Sequence, residues 1–301
     1  MKSLTLASRL LAVSALAFAA APAFGAPPIA YAFVSSNGNQ DLYLVNSDGS
    51  GKVLLYSAGK VALSLVDMDP SANRLVFRQS NSSGFKIIEY SSAGVRTNVT
   101  TVADPCQIMG LDFHPTDGSL LVSEYCSAQD VLQVRRWTNS GFDSAPLVTL
   151  GSGQDTAIRT VRWLGDGTGF LLAYSHVTDG VGSSRIQRHM LDALSSPVPI
   201  ISFSTFRMPD DFDTARCTPT STGPCWALAY DDGAGHVHKI HFDSMSVYED
   251  SVQAGATPHF SPNNSQLLYR LQTRPNFLLK IDTFSLVAKG NVGPGVDWRA
   301  Q

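Results

Sequence analysis

The chain has 301 residues, 44% of them hydrophobic and 16% charged, with 24 Gly, 16 Pro and a formal charge of −3. This balance excludes a disordered, coiled-coil or collagen-like chain and points to a loop-rich globular protein. The slight acid excess also argues against nucleic acid or an anionic membrane surface as partner.

The first 25 residues read as a secretory signal and not as part of the fold. Lys2 and Arg9 form a positive start and Leu10 to Ala20 an uncharged apolar core, while Ala21-Pro-Ala-Phe-Gly-Ala26 offers small residues for cleavage after Ala23 or Gly25. The apolar core falls short of the roughly 20 residues that a membrane span needs. Removing residues 1–25 takes away two basic residues and no acid, which leaves 20 basic against 25 acidic residues. The expected product is a single domain, residues 26–301, periplasmic or secreted, monomeric and without a membrane span.

Beyond the signal, short strand-like runs alternate with Gly, Asn, Asp and Ser turns, and no segment holds a 3.6-residue period. Residues 29–34, 41–45 and 52–56 are three strands with no inner strand ahead of them. A repeat then begins. Its first column reads Met68, Phe113, Trp163, Cys217, Phe260 and Trp298, spaced 45, 50, 54, 43 and 38 residues apart, and Pro follows two residues on at 70, 115, 219 and 262. Three further strand-like runs occupy each interval. These spacings match the roughly 40–50 residues of a four-stranded propeller blade. Residues 295–299 form an inner strand with no outer strands after it, and pairing it with residues 29–34 removes two open edges. The expected fold is all-β: a six-bladed β-propeller of four-stranded antiparallel blades, closed by the C-terminal strand joining the N-terminal blade.

Two stretches carry a resemblance. Asp41-Leu-Tyr-Leu-Val-Asn-Ser-Asp-Gly49 and Phe260-Ser-Pro-Asn-Asn-Ser-Gln-Leu-Leu-Tyr269 resemble the repeat of TolB-like (WD-repeat-like) β-propellers. The likeness covers about 27–301. It departs at Leu164-Gly-Asp-Gly167 and at Thr218-Pro-Thr-Ser221, where the Asp-Gly of the turn is missing. TolB carries an extra N-terminal domain before its propeller, whereas here the expected signal leads almost directly into strands, so the role tied to that domain is not carried over.

Four cysteines sit symmetrically about two predicted turns, which favours Cys106–Cys126 and Cys217–Cys225 among the three connectivities. The residue before each anchor gives a second column, Asp297, Asp67, Asp112, Arg162, Arg216 and His259, all ionisable. Alternation places it near the central channel, as a polarised ring that either satisfies itself or binds a charged ligand. His236 and His238, two apart on one strand face, are the candidate metal pair, with His241 on the other face. Similarity to oligogalacturonate-lyase propellers would make His259 or His114 a further ligand. Asp210, Asp211, Asp213, Asp231 and Asp232 form a local acidic surface, and 204–214 is the loop that lengthens its repeat. No nucleophile elbow, phosphate loop, zinc-protease or dinucleotide motif appears.

The sequence therefore favours an exported, non-enzymatic binding or scaffold protein with no cofactor, recognising a protein, peptide or envelope glycan through its channel mouth and loops. The alternative is a carbohydrate-active enzyme, a metal-assisted polysaccharide lyase using a divalent ion.

Overall fold

Runs such as Leu75-Val76-Phe77 and Phe170-Leu171-Leu172-Ala173 have no polar alternate, which is what a strand covered on both faces requires. The computed structural model describes residues 29–70, 72–151, 157–178, 181–203, 211–216, 225–232, 234–242, 247–261, 266–273, 276–281, 286–290 and 292–298. Residues 1–25, expected as a signal, lie outside them, as do Asp210 and Cys217. Among the described residues all regular structure is β, and no helix is long and apolar enough to cross a membrane.

The strands fall into six antiparallel sheets. One contains β1 (Ile29–Val34), β2 (Gln40–Val45) and β3 (Val53–Ser57), with β25 (Val292–Trp298) as its inner strand. The next is β4 (Leu63–Met68), β5 (Arg74–Gln79), β6 (Phe85–Tyr90) and β7 (Arg96–Val102). Then come β8 (Gln107–Phe113), β9 (Leu120–Cys126) and β10 (Val131–Thr138) with β11 (Gly141–Phe142) and β12 (Val148–Gly151). The fourth is β13 (Ala157–Trp163), β14 (Gly169–Thr178), β15 (Val181–Met190) and β16 (Val198–Phe203). The fifth is β17 (Phe212–Arg216), β18 (Trp226–Asp231), β19 (His236–Phe242) and β20 (Val247–Ala254). The sixth is β21 (Ala256–Phe260), β22 (Leu267–Thr273), β23 (Asn276–Ile281) and β24 (Leu286–Gly290). The inner strands touch in a closed cycle, β25, β4, β8, β13, β17, β21 and back to β25. This is a β-propeller. The expected pairing of the C-terminal strand with the first is present, with Asp297 opposite Ala30 and Trp298 opposite Ile29.

One expectation is corrected: the sheets are not uniformly four-stranded. β10 is eight residues long, so β11 pairs its end at Trp137–Thr138 while β12 pairs Val131–Val134. Both strands occupy the same edge, and the third sheet has five strands.

The core lies between neighbouring sheets, and alternation decides which side chain serves which interface. Leu75 and Phe77 pack toward Leu42, Leu44 and Leu63, whereas Val76 between them packs toward Ile108, Leu111 and Phe113. Leu121 joins Val161, Trp163, Phe170 and Leu172, while Leu171 and Ala173 join Phe212, Trp226 and Leu228. Each strand is thus glue on both sides.

Candidate functional site

Inner strands carry irregularities just ahead of their charged residues. The register shifts between Ser64 and Asp67, between Ile108 and Gly110, between Ile158 and Thr160, and between Ala256 and His259. Leu65 and Thr257 take positive φ at two of these bulges. A bulge bends the strand and re-aims the side chains that follow it.

The aimed carboxylates grip the next inner strand. Asp297 Oδ2 accepts the backbone N–H of Met68 at 2.8 Å, Asp67 Oδ2 that of Phe113 at 2.6 Å, Asp112 Oδ2 that of Trp163 at 2.5 Å, and Asp213 Oδ2 that of Phe260 at 2.7 Å. Arg162 fastens with the opposite polarity. Its Nε donates to the Phe212 carbonyl at 2.9 Å and its Nη1 to the Leu111 carbonyl at 2.8 Å, while Nη2 pairs with Asp211 Oδ1 at 2.9 Å. His259 closes the circle, with Nδ1 3.3 Å from Asp297 Oδ1 and Nε2 3.8 Å from Asp211 Oδ2.

The structure therefore brings together Asp67, Asp112, Arg162, His259 and Asp297, and adds Asp211 and Asp213. Arg216, expected in the ring, stands three residues further along β17, opposite Trp226. Asp213 makes the bond that defines the column. The inner hairpin of this sheet continues beyond it through Ala215 and Arg216, which displaced the alignment on Cys217. Spacing held the signal: Asp213 lies 51 residues after Arg162 and 46 before His259, closer to the other intervals than Arg216 gives.

Charge in the ring is unbalanced. Burial pushes the Asp67 carboxyl well above the ordinary range, and Asp112 and Asp297 push it further, against Arg162 and the Phe113 N–H. Burial likewise raises Asp112, with Arg162 opposing, and raises Asp213, with His259 and Arg162 opposing. Burial disfavours the charged forms of Arg162 and His259, but the surrounding carboxylates outweigh it and hold both toward the cationic state.

The histidine pair meets a carboxylate. Asp232 Oδ2 lies 3.2 Å from His236 Nδ1 and 3.5 Å from His238 Nε2, and His238 stacks on Tyr230. Backbone N–H groups of His236 and Ala234 also reach Asp232, and these bonds hold its carboxyl down at about 2 against a burial penalty. These are hydrogen-bond separations, with the Asp232 carboxylate reached by both rings. Among the described residues, the His/Cys/Asp/Glu group whose ligand atoms fall within 4.8 Å of one another is Cys106, Glu124 and Cys126. Two of these are bonded to each other in the expected Cys106–Cys126 bridge. Cys225 is also disulfide-bonded; its expected partner Cys217 lies outside the described residues.

A recess of about 270 Å³ opens between the second and third sheets, at the end where β8 begins. Arg78, Ser82, Gln107, Tyr125, Ser127 and Cys106 line it. None of the candidate ring or histidine residues borders it.

An all-β propeller with a gripped inner ring is thus the class of protein defined here. The crystal structure of a nidogen/laminin complex contains a chain similar over 89% of this chain and 97% of that one, at 7% identity and TM-score 0.57. A putative 6-phosphogluconolactonase from Bacteroides fragilis matches over 91% and 84% at 14% identity and TM-score 0.46. The Cps50 (Swd1) β-propeller domain from Myceliophteria thermophila matches over 90% and 87% at 12% identity and TM-score 0.48. No protein-family model matches the sequence, and no curated protein matches it.

Proposed function

We propose that the protein is an exported binding propeller that recognises a carboxylate-bearing protein, peptide or envelope glycan through its loops. The observation that carries this is Arg78. It is half-buried in the 270 Å³ recess, and its side chain has no hydrogen-bond or ion-pair partner among the described residues. An uncommitted guanidinium in a recess suits a carboxylate, which it can hold with two parallel bonds. The recess is smaller than the roughly 300–1,000 Å³ that encloses a whole small molecule, which suits one side chain or sugar unit of a larger partner.

We assign the charged ring, by contrast, to holding the inner strands, because one oxygen of each of Asp67, Asp112, Asp213 and Asp297 is bound to backbone. The six sheets are read as six blades of one TolB-like ring. Export rests on residues 1–25, and a disulfide accords with an oxidising compartment such as the periplasm. The lyase alternative would need a metal at His236 and His238, both of which hydrogen-bond to Asp232.

Calorimetric titration with short acidic peptides and with uronate oligosaccharides, each beside an uncharged analogue, tests the reading. One acidic class should bind, and Arg78→Ala should weaken it about tenfold to a hundredfold, the worth of a charge-assisted bond. Binding of neither class, or equal binding by the variant, would overturn it. Metal analysis with an assay for unsaturated uronate products tests the lyase.

A further inference from the structure

The recess has a second wall, and its chemistry does not depend on the binding reading. Cys106, one half of the Cys106–Cys126 bridge, lines it. Glu124 is fully buried and shares a face of β9 with Cys126, two residues on. A Glu124 carboxyl oxygen lies within 4.8 Å of both sulfurs. Gln133, opposite Glu124 on β10, ties the group together. Its Nε2 donates to Glu124 Oε1 at 2.5 Å and reaches Cys126 Sγ at 3.2 Å, and Arg135 Nη1 stands 3.5 Å from the same Oε1.

The far oxygen is the telling one. Glu124 Oε2 has no donor, and neither has Asp104 Oδ2, although both atoms are buried. Asp104 is anchored by its other oxygen, which accepts the Cys106 N–H at 2.8 Å. A proton on Glu124, donated in a hydrogen bond to the Asp104 side chain, removes both deficits. Burial, helped by Asp104 and opposed by Gln133 and Arg135, accordingly raises the Glu124 carboxyl to about 7. A bridge that only stapled two strands would gain nothing from a buried carboxyl pair, which costs stability.

We propose that Cys106–Cys126 is an exchangeable disulfide, attacked at Cys106 from the recess by a dithiol, with Glu124 supplying the proton to the departing Cys126 sulfur. The dithiol, as its monothiolate, forms a new S–S bond to Cys106 Sγ while the old bond breaks and its electron pair leaves on Cys126 Sγ. The proton held by Glu124 passes to that sulfur. The second thiol of the reductant then displaces Cys106, its proton passing to Cys106 Sγ, and the reductant departs as a cyclic disulfide. Two electrons have moved from dithiol to bridge, and Glu124 recovers its proton from solvent.

The test follows reduction of the full chain by dithiothreitol, with alkylation and peptide mapping, at a temperature where circular dichroism shows it folded. The expected result is opening of Cys106–Cys126 faster than global unfolding, with a monothiol such as glutathione captured on Cys106. Glu124→Gln should slow the opening by about tenfold or more, as loss of a general acid does. It should leave the bridge at Cys225 unchanged. Opening only at the unfolding rate, capture on Cys126, or equal rates in the variant would each overturn the proposal. Should Glu124→Gln fail to fold, Ser82→Trp fills the recess without touching the carboxyls. It should slow attack at Cys106, and an unchanged rate would sink the idea.

Discussion

Asp213 Oδ2 accepts the backbone N–H of Phe260 at 2.7 Å, joining the inner strands of the fifth and sixth sheets. Asp297, Asp67 and Asp112 make the same bond to Met68, Phe113 and Trp163. The neighbouring Thr214 adds a second tie, its hydroxyl donating to the Trp163 carbonyl. Asp213→Ala leaves a donor without its acceptor at a part-buried site and is expected to cost about 1–3 kcal/mol. Asp213→Asn keeps an acceptor oxygen and should recover most of that loss. Urea melts of the two variants separate bond from charge, since equal losses would show that the charge is what matters.

Close approach of inner strands makes a second position sensitive. A Cβ at Gly110 on β8 would stand 2.7 Å from Ser123 Oγ, 2.9 Å from the Val161 backbone N and 3.1 Å from Thr160 Cα. Ser123 can turn, but the backbone of β13 cannot yield without opening the sheet interface. Gly110→Ala is therefore expected to destabilise by about 1–3 kcal/mol through overpacking. A thermal melt within error of the wild type would mean that the interface is softer than its packing implies.

The sheets were legible because strands covered on both faces leave continuous apolar runs, and Gly, Asn and Pro mark the turns between them. Ring closure was legible from the two incomplete ends, residues 29–56 and 295–299. The charged column keeps step with the strands where the anchor ends its strand, as Phe113 and Trp163 do. It slipped where Cys217-Thr-Pro219 imitates an anchor and turn although β17 carries its charged residue at Asp213. β11 is only Gly141–Phe142, too short to show any period. Glu124 and Arg78 lie inside strand-like runs with no local pattern to mark them. What distinguishes them is their surroundings: Asp104 lies 20 residues from Glu124 and the recess at Arg78 is built from two sheets, so neither is written in local sequence.

Arg162 ties three elements at once through Phe212, Leu111 and Asp211, with Asp112 Oδ1 at 3.6 Å from Nη1. Arg162→Met would leave Asp112 and Asp211 facing Asp67 and Asp213 without that cation, at an expected cost of about 3–5 kcal/mol. Lysine should rescue only part of it, because a single ammonium cannot span two carbonyls and a carboxylate as the guanidinium fork does. Chemical denaturation of both variants checks this. Full rescue by lysine would reduce the role of Arg162 to its charge.

The acid excess of the ring sets the direction of its pH dependence. Asp67, Asp112 and Asp213 all hold protons more tightly folded than at their ordinary value of 3.8. The stability that this contributes is fully present below that value and is lost as pH rises toward their folded pKa values. His259, raised above 6.5, adds a term of the same sign, present below 6.5 and lost as pH climbs through its folded pKa. The Tm should therefore fall as pH rises above 3.8, and further above 6.5, as the buried carboxyls are forced to ionise beside one another and His259 loses its proton. Asp67→Asn keeps an acceptor for the Phe113 N–H and removes one of the mutually repelling charges. Its Tm should decline less steeply and exceed the wild type's at the alkaline end. Parallel curves for the two proteins would show that Asp67 is already ionised throughout and that its charge is screened by Arg162.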